Sequence, residues 1–103
     1  MSVEQEPAKP VLTAATRLRR TDEWLTTEIE GAVIMMHGAS GRFVGLNETA
    51  SHIWALLETP RTMAEIGDGL AAEFEIDSER ARMEMAPLVA MLIENGAISC
   101  DRG

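Results

Sequence analysis

The sequence lacks a second cysteine, so Cys100 cannot form a disulfide within the chain. Such sparing use of cysteine fits the reducing cytoplasm, which is where we expect the protein. The chain also lacks any apolar run of about eighteen residues, the length that a membrane-spanning helix needs. Residues 1–20 contain prolines and charges instead of the apolar stretch of a secretory signal. These absences argue against a disulfide-stapled, secreted or membrane-embedded protein and favour one small cytoplasmic domain.

Basic residues are scarce beyond the N-terminal segment. Of the 17 acidic residues, only Glu4 and Glu6 precede Thr21, whereas five arginines are the only basic residues from Thr21 onward. A body with that charge repels phosphate backbones, so we expect no nucleic-acid partner. Solubility alone explains the acidity, and so does a preference for a basic partner. Both explanations stay open.

The residues that usually carry out chemistry are few, and their spacing matches no motif for a metal site or a catalytic site. His37 falls in a predicted turn and His52 on the polar side of a predicted helix, and neither has cysteine or aspartate at metal-ligand spacing. Cys100 has no histidine and carboxylate spaced as in a catalytic triad. The segment His37–Gly41 contains glycines but no lysine, so it is not a phosphate-binding loop. The sequence therefore predicts no enzyme, no catalytic residue, no bound metal and no cofactor.

Three short segments have the composition of β-strands. They are Trp24–Ile29, Ala32–Met36 and Arg42–Leu46. Glu30-Gly31 suits a two-residue hairpin turn, and His37–Gly41 suits a second turn. These short connections predict an antiparallel meander whose third strand lies at an edge. Residues 1–16 have no periodicity and are predicted to be a flexible tail, whereas Arg17–Arg20 either lead into the first strand or keep it soluble.

The third predicted strand runs directly into an amphipathic helix. Asn47 ends the strand and offers a side-chain oxygen that caps the helix. Glu48 follows in the first turn, where a carboxylate suits the helix dipole. The helix is predicted over Glu48–Leu57. Its apolar stripe, at spacing i, i+3, i+4, i+7, consists of Ala50, Ile53, Trp54 and Leu57.

A second helix is predicted after Thr59-Pro60, which ends the first one. Thr62 and Glu65 have the spacing of a capping box, in which each residue satisfies a backbone N–H group of the other. Gly67 and Gly69 each weaken a helix by up to about 1 kcal/mol relative to alanine. We therefore expect either close packing against a neighbour or a short, soft helix.

A third helix is predicted to begin at Asp77 or Ser78 and to end at Asn95-Gly96. Its best core stripe consists of Ala81, Met85, Leu88 and Leu92. The segment Met85–Ile93 is apolar throughout, which requires cover on more than one side. Pro87 lies inside it and predicts a kink or a split. Ala97–Cys100 is predicted to add a short strand or wing.

The edge strand and the apolar third helix are the features from which we infer a function. An unpaired edge offers backbone N–H and C=O groups, and an apolar helix offers side-chain pockets. An extended peptide can add itself between them as a fourth strand. Burial of the helix in the protein's own core, or cover by a second copy of the chain, explains the same pattern. The residues alone leave peptide groove and plain packing equally open.

The order of motifs resembles a known family. The segment strand-LN-x-x-A-x-x-I-W follows a β-hairpin; Pro60-Arg61-Thr62 then precedes a helix, and the last helix ends in Asn95-Gly96-Ala97-Ile98. Over about Arg17–Ser99 this order resembles the PqqD-like family, the recognition elements of ribosomally synthesised and post-translationally modified peptides (RiPPs). The resemblance implies an α+β winged helix-turn-helix, with a three-stranded antiparallel sheet followed by three helices. Residues 17–100 would be the recognition domain.

The resemblance also implies a function without catalysis. Members of the family bind the leader of a ribosomally made precursor peptide as a strand antiparallel to their third strand, beside the third helix. They present it to modifying enzymes. Carried over by position, the peptide-binding residues are Arg42, Phe43, Val44, Gly45 and Leu46 on the strand, and Arg82, Met85, Ala86 and Val89 on the helix.

Two groups within the family are candidates. One is the lasso-peptide leader-binding protein, which serves a separate leader protease and cyclase. The other is PqqD proper, which serves a radical SAM enzyme in pyrroloquinoline quinone synthesis. The segment LNETASHIW is more similar to the lasso-type and general members than to PqqD proper. A winged-helix DNA-binding protein and a structural homodimer are the alternatives outside this function, although acidic residues on the third helix argue against DNA.

Overall fold

The computed structural model describes residues 12–101 of the chain. The elements in order are β1 (Arg17–Arg20), β2 (Trp24–Ile29), β3 (Ala32–His37), β4 (Phe43–Gly45), α1 (Glu48–Leu56), β5 (Arg61–Thr62), α2 (Met63–Phe74), α3 (Ser78–Glu94) and β6 (Ile98–Asp101). The strands form two three-stranded sheets, one in the order β2-β3-β4 and the other in the order β5-β1-β6. The predicted α+β class is confirmed, and the winged helix-turn-helix assignment stays a prediction.

The sheet β2-β3-β4 is the predicted antiparallel meander. Its first turn places both Glu30 and Gly31 at positive φ, 53° and 85°. Positive φ at both central residues defines the type I′ turn, whose twist matches that of the flanking strands. The strands β3 and β4 then pair with Met35 opposite Val44. The sheet order ends at β4, so the strand predicted to lie at an edge does lie there.

The junction between β4 and α1 is held by side chains as well as by backbone. Asn47 caps the helix, because its Oδ1 accepts a hydrogen bond from the Ala50 N–H at 2.8 Å. The buried Ser51 hydroxyl accepts from the Val33 N–H at 3.1 Å and donates to the Leu46 carbonyl at 3.2 Å. One hydroxyl thus connects the first turn of α1 to two strands, which fixes the angle between helix and sheet.

The helix α2 starts with the predicted capping box. Thr62 accepts from the Glu65 N–H, and the Glu65 carboxylate accepts from the Thr62 N–H. The two glycines lie where neighbours come close. A Cβ added at Gly67 would meet Arg82 Cγ of α3 at 2.9 Å, and one added at Gly69 would meet Leu56 Cδ1 of α1 at the same distance. Glycine therefore allows the close packing that the sequence predicts.

The helix α3 is continuous from Ser78 to Glu94, so Pro87 does not split it. A proline in a helix has no N–H to donate to the carbonyl four residues earlier, which here belongs to Met83. Pro87 and Met83 are both exposed, and Met83 retains 71% of its accessible surface. Water can therefore hydrate the carbonyl that the proline leaves without a donor.

The second sheet joins the two ends of the described chain. The strand β1 pairs with both β5 and β6, and its Leu18 is completely buried. Arg20 anchors β1 to α1, because its guanidinium lies over the Trp54 ring at 4.4 Å and donates to the Trp54 carbonyl. Burial lowers the pKa of Arg20, and the Glu58 carboxylate opposes that shift. Arg17–Arg20, whose role the sequence left open, thus form a central strand.

The predicted tail, residues 1–16, falls partly outside the described residues, which begin at residue 12. Thr16 is buried, and its carbonyl accepts from the Met63 N–H at 2.9 Å. The Ala14 carbonyl accepts from the Ala64 N–H at 3.1 Å. Residues 12–16 are thus bonded to the first turn of α2. In residues 12–101, no helix combines the length and the apolar character needed to span a bilayer.

Candidate functional site

The outer edge of β4 is one of the two edges of this sheet, the other being that of β2, and it carries free backbone groups. The His37 N–H donates to the Arg42 carbonyl and the Leu46 N–H donates to the Val33 carbonyl, at 2.8 and 2.9 Å. Hydrogen-bonded pairs alternate along an antiparallel ladder, so Val44, midway between Arg42 and Leu46, also directs its N–H and C=O toward β3. The intervening residues Phe43 and Gly45 direct theirs away from the sheet. The described chain places no strand on that side.

The side chains of β4 alternate between the two faces of the sheet. On the inner face, Leu46 is buried and Val44 packs against the core. Arg42 extends that inner row by one residue. On the outer face, Phe43 is 69% exposed and Gly45 has no side chain. The two residues with free backbone groups are therefore the two on the outer face.

The outer face of the sheet β2-β3-β4 contains no charged side chain. Cross-strand pairing places three β2 residues, three β3 residues and two β4 residues on it, and we call this set the outer sheet face. They are Leu25, Thr27, Ile29, Ala32, Ile34, Met36, Phe43 and Gly45. Leu25 and Ile29 are 61% and 58% exposed. A shallow depression of about 160 Å³ runs over this face beside Phe43. A solvated sheet face normally carries polar residues, so this one has the composition of a contact surface.

One end of the β4 edge is joined to the end of α3. Arg42 Nη2 donates to Asn95 Oδ1 at 2.8 Å, and the Arg42 guanidinium lies 5.8 Å from the centre of the Trp24 ring. Asn95 is itself fixed, because its Nδ2 donates to the Met91 carbonyl and its carbonyl accepts from Trp24 Nε1. These contacts bring the start of β4 next to the C-terminal end of α3.

The four α3 residues that the resemblance assigned to peptide binding do not lie together on the side of the helix that faces β4. Met85 and Val89 have no exposed surface, because both belong to the core. Arg82 and Ala86 line a different cavity, of about 550 Å³, together with Leu12, Thr13, Ala14, Met63, Glu79 and Met83. The structure thus brings the five strand residues together and separates the four helix residues. Their role in peptide binding stays a prediction.

Another stripe of α3 is the better candidate for the wall beside β4. Asn95 marks the side of the helix that Arg42 reaches, and helical spacing of four, seven or eight places Met91, Leu88 and Pro87 on that side. Met91 and Leu88 are partly buried and pack against the core, and Pro87 is exposed. The sequence carried a signal for Met91, since it lies in the apolar segment Met85–Ile93 but outside the predicted core stripe.

The remaining reactive side chains form local contacts. His37 Nδ1 accepts from the Ser40 N–H at 3.2 Å, and its Nε2 lies 3.6 Å from Glu23 Oε1. These contacts stabilise the turn between β3 and β4. His52 meets the Phe74 ring edge to face, with ring centres 5.7 Å apart. Within residues 12–101, no three His, Cys, Asp or Glu side chains are grouped so that they could hold a metal ion.

The fold and the β4 edge define a class of protein: a small α+β domain whose three-stranded meander is open at an edge next to a helix. The family model described as "Coenzyme PQQ synthesis protein D (PqqD)" matches residues 32–98. Because that match covers more than half of the chain, the protein belongs to the PqqD family. Comparison with curated protein sequences gives no match.

Solved structures share this fold over most of the chain. One is described as "TbiB1 in Complex with the TbiA(beta) Leader Peptide"; it is 25% identical, has a TM-score of 0.72, and the match covers 79% of this chain and 94% of that one. Another, "Lasso peptide synthetase B1 complexed with the leader peptide", is 29% identical with a TM-score of 0.67, covering 80% and 96%.

A third similar structure is a solution NMR structure of the PqqD truncation of Methylobacterium extorquens PqqCD, described as a stand-alone RiPP recognition element. It is 15% identical with a TM-score of 0.70, and the match covers 86% of this chain and 95% of that one. At that identity the likeness shows the fold alone. All three structures are spanned almost completely by this chain.

Proposed function

We propose that this protein is a non-catalytic adaptor that binds the leader segment of a ribosomally synthesised precursor peptide and presents it to modifying enzymes in lasso peptide biosynthesis. The observation that carries the proposal is the open β4 edge, where Phe43 and Gly45 offer backbone donors and acceptors to an incoming strand. The two similar structures that are 25% and 29% identical are both described as complexes with leader peptides. Their descriptions support the same ligand for this chain.

The geometry of β4 determines how a leader strand would lie. An antiparallel strand makes hydrogen-bonded pairs with Phe43 and Gly45, so the residues opposite these two direct their side chains to the outer sheet face. The residue between them, opposite Val44, directs its side chain inward, toward α3. Leu88 and Met91 are the apolar residues that we propose receive it. Leu88 and Met91 thus take the role that the resemblance gave to Met85 and Val89, which are buried, because a ligand can reach them.

The outer sheet face is the surface that we propose contacts the modifying enzyme. It is uncharged in a chain of net charge −8, and it carries Leu25, Ile29 and Phe43, which are more than half exposed. A bound leader would extend it by every second side chain of the added strand. The enzyme would then contact a sheet of four strands, of which three belong to this protein. In the lasso case the enzymes are a leader protease and a cyclase.

The matching family model supports a second candidate within the same mechanism. Its description names coenzyme PQQ synthesis, where a PqqD protein would serve a radical SAM enzyme. The two similar leader complexes favour the lasso assignment, because the PqqD structure is only 15% identical. The genes on either side separate the two: a precursor frame beside a protease and an asparagine-synthetase-like cyclase supports lasso synthesis, and a radical SAM neighbour supports the alternative.

Strand addition is tested by removing one outward donor without disturbing the fold. Gly45→Pro deletes the N–H that faces the incoming strand, and proline is tolerated on the solvent side of an edge strand. The matched control is Gly45→Ala, which keeps the N–H and adds a Cβ only 3.7 Å from Ile34 Cδ1, an ordinary contact. In fluorescence anisotropy with the leader of the neighbouring precursor, we expect Gly45→Pro to weaken binding by about tenfold or more. Equal binding by a folded Gly45→Pro protein would contradict strand addition.

A further inference from the structure

Arg42 is a cation held in place without an ionic partner. Its guanidinium donates to Asn95 Oδ1 and lies over Trp24, yet it forms no ion pair with any carboxylate of residues 12–101. It uses one Nη2 donor on Asn95, and arginine has five N–H donors. Arg42 is exposed and lines a depression of about 280 Å³ with His37, Ser40, Glu94 and Asn95. The free donors therefore face solvent at the end of the β4 edge.

The register of an added strand determines what Arg42 would meet. If the residue opposite Gly45 is called position 1 of an antiparallel peptide, position 3 lies opposite Phe43 and position 4 lies opposite Arg42. Arg42 and position 4 have their side chains on the inner face of the sheet. Opposite residues of neighbouring strands lie close enough for side chains of unlike charge to pair.

We propose that Arg42 selects peptides with an aspartate or a glutamate at position 4, three residues after the residue that pairs with Gly45. The proposal rests on the strand addition described above and adds to it a side-chain preference. A carboxylate is the complementary group because a guanidinium fork binds its two oxygens at once. The contacts to Asn95 and Trp24 already restrict the guanidinium, so less of its freedom is lost on pairing.

The place of Arg42 on the inner face makes this preference specific to one register. A slip of one residue would move the acidic side chain to the outer sheet face, away from Arg42. Arg80 gives a comparison, since it is an exposed arginine at the start of α3 that pairs with Glu84 of its own helix and lies outside the residues assigned to peptide binding. A general attraction of the acidic peptide to arginine would involve both residues, whereas pairing within the added strand involves only Arg42.

The test is a selection from a library of randomised 16-residue peptides displayed with their coding sequence, carried out in parallel on several variants. The intact chain should enrich Asp or Glu at one position. Arg42→Glu should enrich Lys or Arg at that same position, and Arg42→Gln should enrich neither charge. Arg80→Glu should give the same pool as the unaltered chain, because Arg80 lies outside the residues assigned to peptide binding. A synthetic peptide from the first pool should lose about tenfold in affinity when its acid is changed to lysine, and Arg42→Glu should restore that binding.

The outcomes separate this inference from the proposed function. Gly45→Pro should fail to retain the peptides selected by the unaltered chain. If it fails and Arg42→Glu still selects the same acidic position, strand addition holds and the role of Arg42 is wrong. If pools from the unaltered chain and from Arg42→Glu show no charged position, that role is likewise wrong. If Gly45→Pro retains the selected peptides, the proposed function is wrong, and the inference with it.

Discussion

The Ser51 hydroxyl accepts a hydrogen bond from the Val33 N–H at 3.1 Å, between the first turn of α1 and the middle strand of the sheet. Both residues are buried, and they lie 18 positions apart in the sequence. The same hydroxyl donates to the Leu46 carbonyl at the end of β4. This buried hydroxyl therefore helps to fix the position of the open edge relative to α1.

We expect Ser51→Ala to destabilise the protein by about 1–3 kcal/mol, because the buried Val33 N–H loses its acceptor. Urea unfolding followed by circular dichroism measures the effect. The matched control is Thr49→Ala in the same turn of the same helix, which removes a hydroxyl from a less buried position and improves helix propensity. A Ser51→Ala variant as stable as the Thr49→Ala variant would show that the junction does not depend on this hydroxyl.

Proline should destabilise the protein at Val44 much more than at the neighbouring Gly45. The Val44 N–H points toward β3, so Val44→Pro leaves the carbonyl of the buried Met35 without its donor, at a cost of about 1–3 kcal/mol. The Gly45 N–H points to solvent, so Gly45→Pro leaves the ladder complete. We expect thermal unfolding to show a clear loss of stability for Val44→Pro and a small change for Gly45→Pro. A larger loss of stability for Gly45→Pro than for Val44→Pro would mean that the alternation along β4 is reversed.

That alternation shows where sequence reasoning about the site reaches its limit. Composition located the edge strand at Arg42–Leu46 and placed it correctly at the border of the sheet. Which of its residues face outward depends on the register with β3, and that register follows from the turn at His37–Gly41 and not from β4 itself. Phe43 and Gly45 could therefore be distinguished from Val44 only after the pairing was known.

The second sheet could not be predicted for a related reason. Arg17–Arg20 contains three arginines and a single apolar residue, so it has little of the strand pattern that composition can detect. It becomes a central strand because Leu18 is buried and because β5 and β6 pair with it from distant parts of the chain. By contrast, the caps at Asn47 and Thr62 are local signals, and both helices begin where these residues predict.

The position of the groove along α3 can be tested with the same substitution at two methionines. Met91→Glu places a charge on the side of α3 that we assign to the bound leader, and it should weaken leader binding by about tenfold. Met83→Glu introduces the same charge on an exposed residue that lines the other cavity, and affinity should change little. Isothermal titration with the leader of the neighbouring precursor measures both. A larger loss for Met83→Glu would move the binding site to the cavity beside Leu12.

Substitutions on the outer sheet face should slow leader removal by the enzyme without changing the affinity for the leader. Leu25→Thr with Ile29→Thr makes two exposed β2 positions polar while keeping a good strand former at each. We expect stability to change by about 0.5 kcal/mol or less per substitution. Leader affinity should be unchanged, because neither residue lies on β4. Removal of the leader by the protease encoded nearby should become several-fold slower, since the enzyme would dock on a less apolar surface.

The control for this prediction is Glu28→Thr, a change on the same strand whose side chain points to the opposite face of the sheet. It introduces the same residue type on the same strand, but it leaves the outer sheet face intact. Leader removal should then proceed at the rate of the unaltered protein. If Glu28→Thr slows the reaction as much as the double variant does, the enzyme does not recognise the outer sheet face.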